Sequence, residues 1–170
     1  MGDLGLMMAK RLTVLALLAF IACAALLTAV ACYNAAQALE AIPQPVTSAK
    51  VTAGDIDGAL AKGPVFVEFE TAECGYCKQQ RPISQQLEGE YAGKVTFFFV
   101  DANENRDLAR AYQVTGVPQI DVIASKSDGK YTYIDKNGAP SDSIGASRFI
   151  GLTQKDALKT ALDAAIRAKG

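Results

Sequence analysis

Apolar positions along the chain come in three spacings. The first is a solid block: Leu12 to Cys32 is almost wholly apolar, and no charge follows it until Glu40. About 20 such residues suffice to span a membrane as a helix. Beyond Val51 the runs are short and bounded by turn residues. Pro64-Val65-Phe66-Val67-Glu68-Phe69-Glu70 is apolar and β-rich, the pattern of a buried strand. In Lys78 to Tyr91, Ile83, Leu87 and Tyr91 recur every fourth residue, which predicts a helix that Gly89 to Gly93 closes. Val95 to Val100 is continuous, as expected of a central strand covered on both faces, with Phe97, Phe98 and Phe99 in the core. Leu108 and Tyr112 share a helix face behind a cap at Asn105 or Asn103, and Asp101 reads as a solvated turn residue.

Gln119 to Ala124 predicts another strand, Lys126 to Gly129 a turn, and Lys130 to Asp135 a strand that pairs back, with a second turn at Lys136-Asn137-Gly138. Ala139 to Ser147 reads as a surface insertion and Arg148 to Gly151 as a last short strand. Leu158, Leu162 and Ile166 mark an amphipathic C-terminal helix. Thr52 with Asp55, and Thr153 with Asp156, have the spacing of capping boxes; the first would open a helix running through Lys62, stopped by Gly63-Pro64.

Composition divides the 170 residues unevenly. Half are hydrophobic, with the excess at the start. Lys10-Arg11 ahead of the apolar block predicts an N-terminus inside the cell and a domain outside. Ala36-Gln37-Ala38 has the small-x-small form of a leader-peptide cleavage site, and Ala29-Val30-Ala31-Cys32 weakly resembles a lipoprotein box. Residues 1–38 therefore read as a signal peptide or a transmembrane anchor, and 39–50, with Pro43, Pro45, Thr47 and Ser48, as a linker. Residues 51–170 form one domain, expected to be monomeric. Of 17 basic and 18 acidic residues, Asp3, Lys10 and Arg11 fall in the first segment, leaving 15 and 17. That balance, without a basic patch, argues against a nucleic-acid partner.

The chemistry sits in Cys74-Gly75-Tyr76-Cys77, where the strand hands over to the helix. Backbone N–H groups at a helix start stabilise a thiolate. Cys74 is thus the exposed, low-pKa thiol and Cys77, one turn in, the partly buried one. Zinc would need four ligands, but the chain has no His, and Cys23 and Cys32 lie in the apolar block. A purely structural disulfide would close too short a loop to restrain much entropy. Disulfide exchange by the pair, with no other cofactor and no metal, is the remaining reading.

At this point the sequence resembles the thioredoxin family. Cys74-Gly75-Tyr76-Cys77-Lys78 followed by Pro82 is similar to that family's active-site motif and the proline that kinks its helix. Val67-Glu68-Phe69 resembles the strand carrying its buried carboxylate, and Tyr112-Gln113-Val114-Thr115-Gly116-Val117-Pro118 the segment ending in its cis-proline. The resemblance implies an α/β thioredoxin fold, with a mixed central sheet flanked by helices. It implies Cys74 as nucleophile, Cys77 as resolving thiol and Glu68 as proton acceptor, although Glu70 shares its face by alternation. Gly75 and Tyr76 set partner approach and redox poise, and Val117 beside cis-Pro118 pairs with an extended substrate. Partners would be protein thiols and disulfides, together with a membrane or soluble redox partner.

Phe97 stands where many members keep a lysine near the buried acid. Tyr76 replaces the usual proline, as in periplasmic disulfide isomerases and some glutaredoxins, so a reductant and an oxidase or isomerase both remain open. A glutaredoxin-like enzyme and a non-catalytic partner-binding module are the alternatives.

Overall fold

A computed structural model describes residues 50–169. The expected leader or anchor over 1–38, and all but the last residue of the linker 39–50, lie outside these residues. Among the described residues, no helix is long and apolar enough to cross a membrane.

Helix α1 (Ala53–Leu60) opens on the predicted capping box: the Thr52 hydroxyl accepts the Asp55 N–H, and the Asp55 carboxylate accepts the Thr52 N–H at 2.8 Å. It ends before Lys62. Gly63 then passes so close to the next layer that a Cβ would lie 2.7 Å from the Lys94 carbonyl oxygen, which leaves room only for glycine. There follow β1 (Val65–Glu70), α2 (Gly75–Glu90), β2 (Thr96–Asp101), α3 (Arg106–Ala111), β3 (Gln119–Ser127) and β4 (Lys130–Ile134). The chain closes with β5 (Pro140–Ser141), α4 (Ile144–Ser147), β6 (Phe149–Ile150) and α5 (Lys155–Lys169).

The sheet runs β2-β1-β3-β4-β5, with β6 on β3. Only β1 and β2 are parallel, joined by the α2 crossover; the other pairs are antiparallel. Alternation along the strands feeds two cores. On one face Phe66, Ile120 and Val122 pack with Leu87 and Tyr91 of the α2 end and with Leu158 and Leu162 of α5. On the other, Val65, Val67, Phe69 and Ile123 pack with Ile56 and Leu60 of α1, Leu108 of α3, and Tyr112.

Several local expectations change. β2 is an edge strand, paired with β1 alone, and Thr96 to Phe99 are only half-buried. Phe97 joins one core and Phe98 the other, so both faces are covered although one edge is open. An apolar run reports cover above and below a strand, not neighbours beside it. The Thr153–Asp156 capping box does not form. The Thr153 hydroxyl donates to the Gly151 carbonyl, and its N–H donates at 2.7 Å to the buried Gln80 side chain. Asn105 takes the cap position of α3 without a side-chain cap bond; its amide donates to the Asp101 carbonyl. Asp101 itself accepts the Asn103 and Glu104 N–H groups and so builds the turn. The β3–β4 loop narrows to Asp128-Gly129, both at positive φ, as a two-residue hairpin with right-handed twist requires. The expected insertion over 139–147 carries β5 and α4.

Candidate active site

Helix α2 begins on the sulfur chemistry. Cys74 is its N-cap in extended backbone, and its Sγ accepts the Cys77 N–H at 3.1 Å. The two cysteines form a disulfide, with Cα atoms 5.2 Å apart. Cys74 is half-buried, while Cys77, expected to be partly buried, is 2% exposed. A partner can therefore reach only the first sulfur. A Cβ on Gly75 would meet nothing within 4 Å, and Tyr76 is 62% exposed, so the turn between the cysteines presents an open backbone and one aromatic ring. Lys78 is exposed just beyond, and Pro82 lies inside the helix.

The Val117–Pro118 bond is cis. Cys74 Sγ lies 3.5 Å from the Val117 carbonyl oxygen, and the Pro118 carbonyl accepts the Gly151 N–H at 2.8 Å. Strand β3 starts at the next residue, Gln119, so the sheet holds this loop against the sulfur.

Behind the disulfide, Cys77, Gln80 and Ser84 form the buried face of α2, which covers the Glu68 side of β1. Glu68 is 0% exposed, and neither carboxylate oxygen has a hydrogen-bond partner. Burial pushes its pKa up to about 7; the nearby Ser84 hydroxyl and the Arg81 charge pull the other way. Glu70, two residues on, does something different. It is ion-paired with Arg81, whose Nε donates to Glu70 Oε2 at 3.0 Å. The Arg81 guanidinium carbon also sits 4.0 Å over the Phe99 ring. Phe97 stacks on Phe66 at 4.6 Å and brings no cation. A cleft of about 390 Å³ lies here, lined by Glu70, Thr71, Cys77, Lys78, Arg81 and Asp101 among others.

Sequence reading passed over Arg81, although it stands four residues after Cys77 and so on the same helix face. It also passed over Asp121. That carboxyl is buried on the opposite face of the sheet, where Gln119 Nε2 donates to Asp121 Oδ2 and to the Tyr112 carbonyl, both at 3.0 Å. Asp121 Oδ1 has no partner, and burial pushes the group up to about 7. Two polar residues at alternate positions of an apolar strand were the signal. Among the described residues, no cluster of three or more His, Cys, Asp or Glu could hold a metal ion.

Comparison with known proteins agrees with this geometry. Residues 47–162 match the thioredoxin family model. The chain is 31% identical to a thioredoxin of Staphylococcus epidermidis over 114 residues, 67% of this chain and 93% of that one. It is 30% identical to a Staphylococcus aureus thioredoxin over the same shares. Among solved structures, chloroplastic thioredoxin z superposes with a TM-score of 0.51 at 21% identity, covering 74% of this chain and 98% of that one. A mutant thioredoxin from Halobacterium salinarum gives 0.50 at 24%, covering 68% and 86%.

Proposed function

The chain belongs to the thioredoxin family, and from that premise we propose that it exchanges disulfides with protein substrates outside the cytoplasm, through its Cys-Gly-Tyr-Cys dithiol. It is a thiol–disulfide oxidoreductase whose redox centre is its own cysteine pair, with no further cofactor. The observation that carries the mechanism is the position of Cys74. Its sulfur caps α2, accepts a backbone N–H and is the accessible member of the pair. As a thiolate it attacks a substrate disulfide and forms a mixed disulfide. Cys77 loses its proton to Glu68 and attacks Cys74, so the intramolecular disulfide re-forms and the substrate thiol leaves. Run backwards, the same steps oxidise a substrate dithiol. The Val117 backbone beside Pro118 offers an edge on which an extended substrate can pair, next to Cys74.

The location rests on sequence. Lys10-Arg11, the apolar block and Ala36-Gln37-Ala38 fit a retained anchor or a cleaved leader, and either delivers the domain outside. Tyr76 and an oxidising compartment lean toward oxidase or isomerase, while a domain without an inserted helical lobe leans toward reductant.

Equilibration in glutathione buffers decides the direction. A potential near about −270 mV indicates a reductant, and one near about −180 to −120 mV an oxidase or isomerase. Cys77→Ser should trap substrate proteins covalently through Cys74, and absence of adducts would sink the exchange mechanism. In intact cells expressing the full chain, a membrane-impermeant maleimide should label Cys74 after mild reduction. Labelling only after lysis would overturn the location.

A further inference from the structure

Cys77 and Arg81 stand one turn apart on α2, and Glu68 and Glu70 stand two residues apart on the β1 face that α2 covers. The arrangement sets a thiol and a cation on the helix across from two carboxyls on the strand. The outer carboxyl and the cation have paired. Arg81 offers its planar fork to Glu70 and lays its guanidinium on Phe99. Phe99 is the cross-strand partner of Glu68 in the β1–β2 register. The clamp thus parks a positive charge over the residue beside Glu68, at a cleft that Cys77 also lines. Glu68 has no hydrogen-bond partner, burial disfavours its charged form, and Arg81 is the neighbouring charge that works against that burial.

We propose that Arg81 is a positioning residue for the redox step: clamped between Glu70 and the Phe99 ring, its fixed charge opposes the burial of Glu68 and favours the ionised form that takes the Cys77 proton. The inference rests on the reading above, in which Glu68 is the proton acceptor. The remaining charged groups do not duplicate this role. On α2, Lys78 is exposed and Glu88 acts on Arg81; on β2, Asp101 is engaged with the turn N–H groups. On β3, Asp121 faces the other core, and on α5, Lys155 and Lys159 pair with Glu90. Arg81 is also the only charge on α2 that both lines the cleft and is held in place. Its own burial disfavours its charge, an effect the Glu68 and Glu88 carboxylates counter only in part.

In the step itself the Cys77 S–H proton passes to the Glu68 carboxylate. The Cys77 thiolate attacks Cys74 Sγ, the Cys74–Cys77 bond forms, and the bond from Cys74 to the substrate sulfur breaks. The departing thiolate takes up a proton from solvent. Two electrons have then moved from the dithiol to the substrate disulfide.

The test isolates this step. The reduced protein is loaded at low pH as a Cys74–thionitrobenzoate mixed disulfide, then jumped to higher pH while release of the coloured thiol is followed. Release reports Cys77 attack and not the ionisation of Cys74. Arg81→Gln should move the acid limb of the release profile up by about 0.5–1 pH unit, the scale of a nearby charge in a partly screened site. Below the limb, release then slows roughly three- to tenfold. Arg81→Lys, which keeps the charge, should restore the limb toward its original position. An unmoved limb in Arg81→Gln, or a limb that stays fully displaced in Arg81→Lys, overturns the proposal. A parent protein that releases no thiol at all sinks the exchange mechanism itself, a different failure.

Discussion

Two carboxyls two residues apart on β1 illustrate what single residues reveal. Alternation puts Glu68 and Glu70 on one face and cannot choose between them. The structure separates them by partner: Glu70 holds Arg81, while Glu68 is buried with no bond to either oxygen. The missing clue lay on another element, at Arg81, so no pattern within the strand could have supplied it. If Glu68 is the acceptor for Cys77, Glu68→Gln should slow thiol release from the mixed disulfide on the order of a hundredfold at neutral pH, the usual scale of general-base help. Stopped-flow release at pH 7 checks this, and a rate within twofold of the parent would remove Glu68 from the mechanism. Tyr76 poses the reverse case, legible in sequence because it stands between the cysteines. It is widely exposed, so Tyr76→Ala should change urea unfolding by less than about 0.5 kcal/mol. The same variant should slow exchange with a protein disulfide more than with oxidised glutathione, since only the larger partner can cover the ring.

The elements were legible where one periodicity dominates. β1, α2 and α5 came from apolar spacing alone, because each buries a single face or both faces fully. β2 was found but placed wrongly, since Phe97 serves one core and Phe98 the other from an open edge, while Phe99 lies under Arg81. Capping was half legible. Thr52 and Thr153 each precede an acidic residue by three, yet only Thr52 closes a capping box. At the start of α5, the buried Gln80 side chain competes: Gln80 Oε1 takes the Thr153 N–H that the box would have used. A contact 73 residues away in sequence decides a local motif. Thr52→Ala should therefore cost about 1 kcal/mol in urea unfolding, a typical cap. Thr153→Ala should cost clearly less. Gln80→Leu should cost about 1–3 kcal/mol, because it strands a partly buried N–H and the Ser84 hydroxyl. A Thr153→Ala cost equal to that of Thr52→Ala would mean that the second box forms in solution.

At the scale of the whole molecule, three motifs in order and spacing announced the architecture, but they said nothing of the second buried acid. Glu68 and Asp121 sit on opposite faces of the sheet, and burial raises each to about 7 from ordinary values near 4.5 and 3.8. Both folded-state values lie above the unfolded ones. The folded protein therefore holds protons that the unfolded chain has given up. The stability tied to these groups is fully present below about pH 4 and is lost as pH rises through about 7. For each group the loss is on the order of 3 kcal/mol. Surface carboxylates such as the half-buried Asp57 and the exposed Glu90, held low by Lys126 and by Lys155 respectively, act in the opposite sense and only at acid pH. The oxidised protein should accordingly be most stable near about pH 5 and lose several kcal/mol by pH 8. Asp121→Asn separates the two acids. It keeps the acceptor for Gln119 Nε2 and adds a donor that Gln119 Oε1 lacks. Thermal unfolding of this variant should be higher than the parent's at pH 8 and converge with it near pH 4. Its rate of thiol release should stay at the parent value, because Asp121 lies across the sheet from the dithiol. A variant no more stable at pH 8 than the parent would show that Asp121 is already ionised and solvated in the fold.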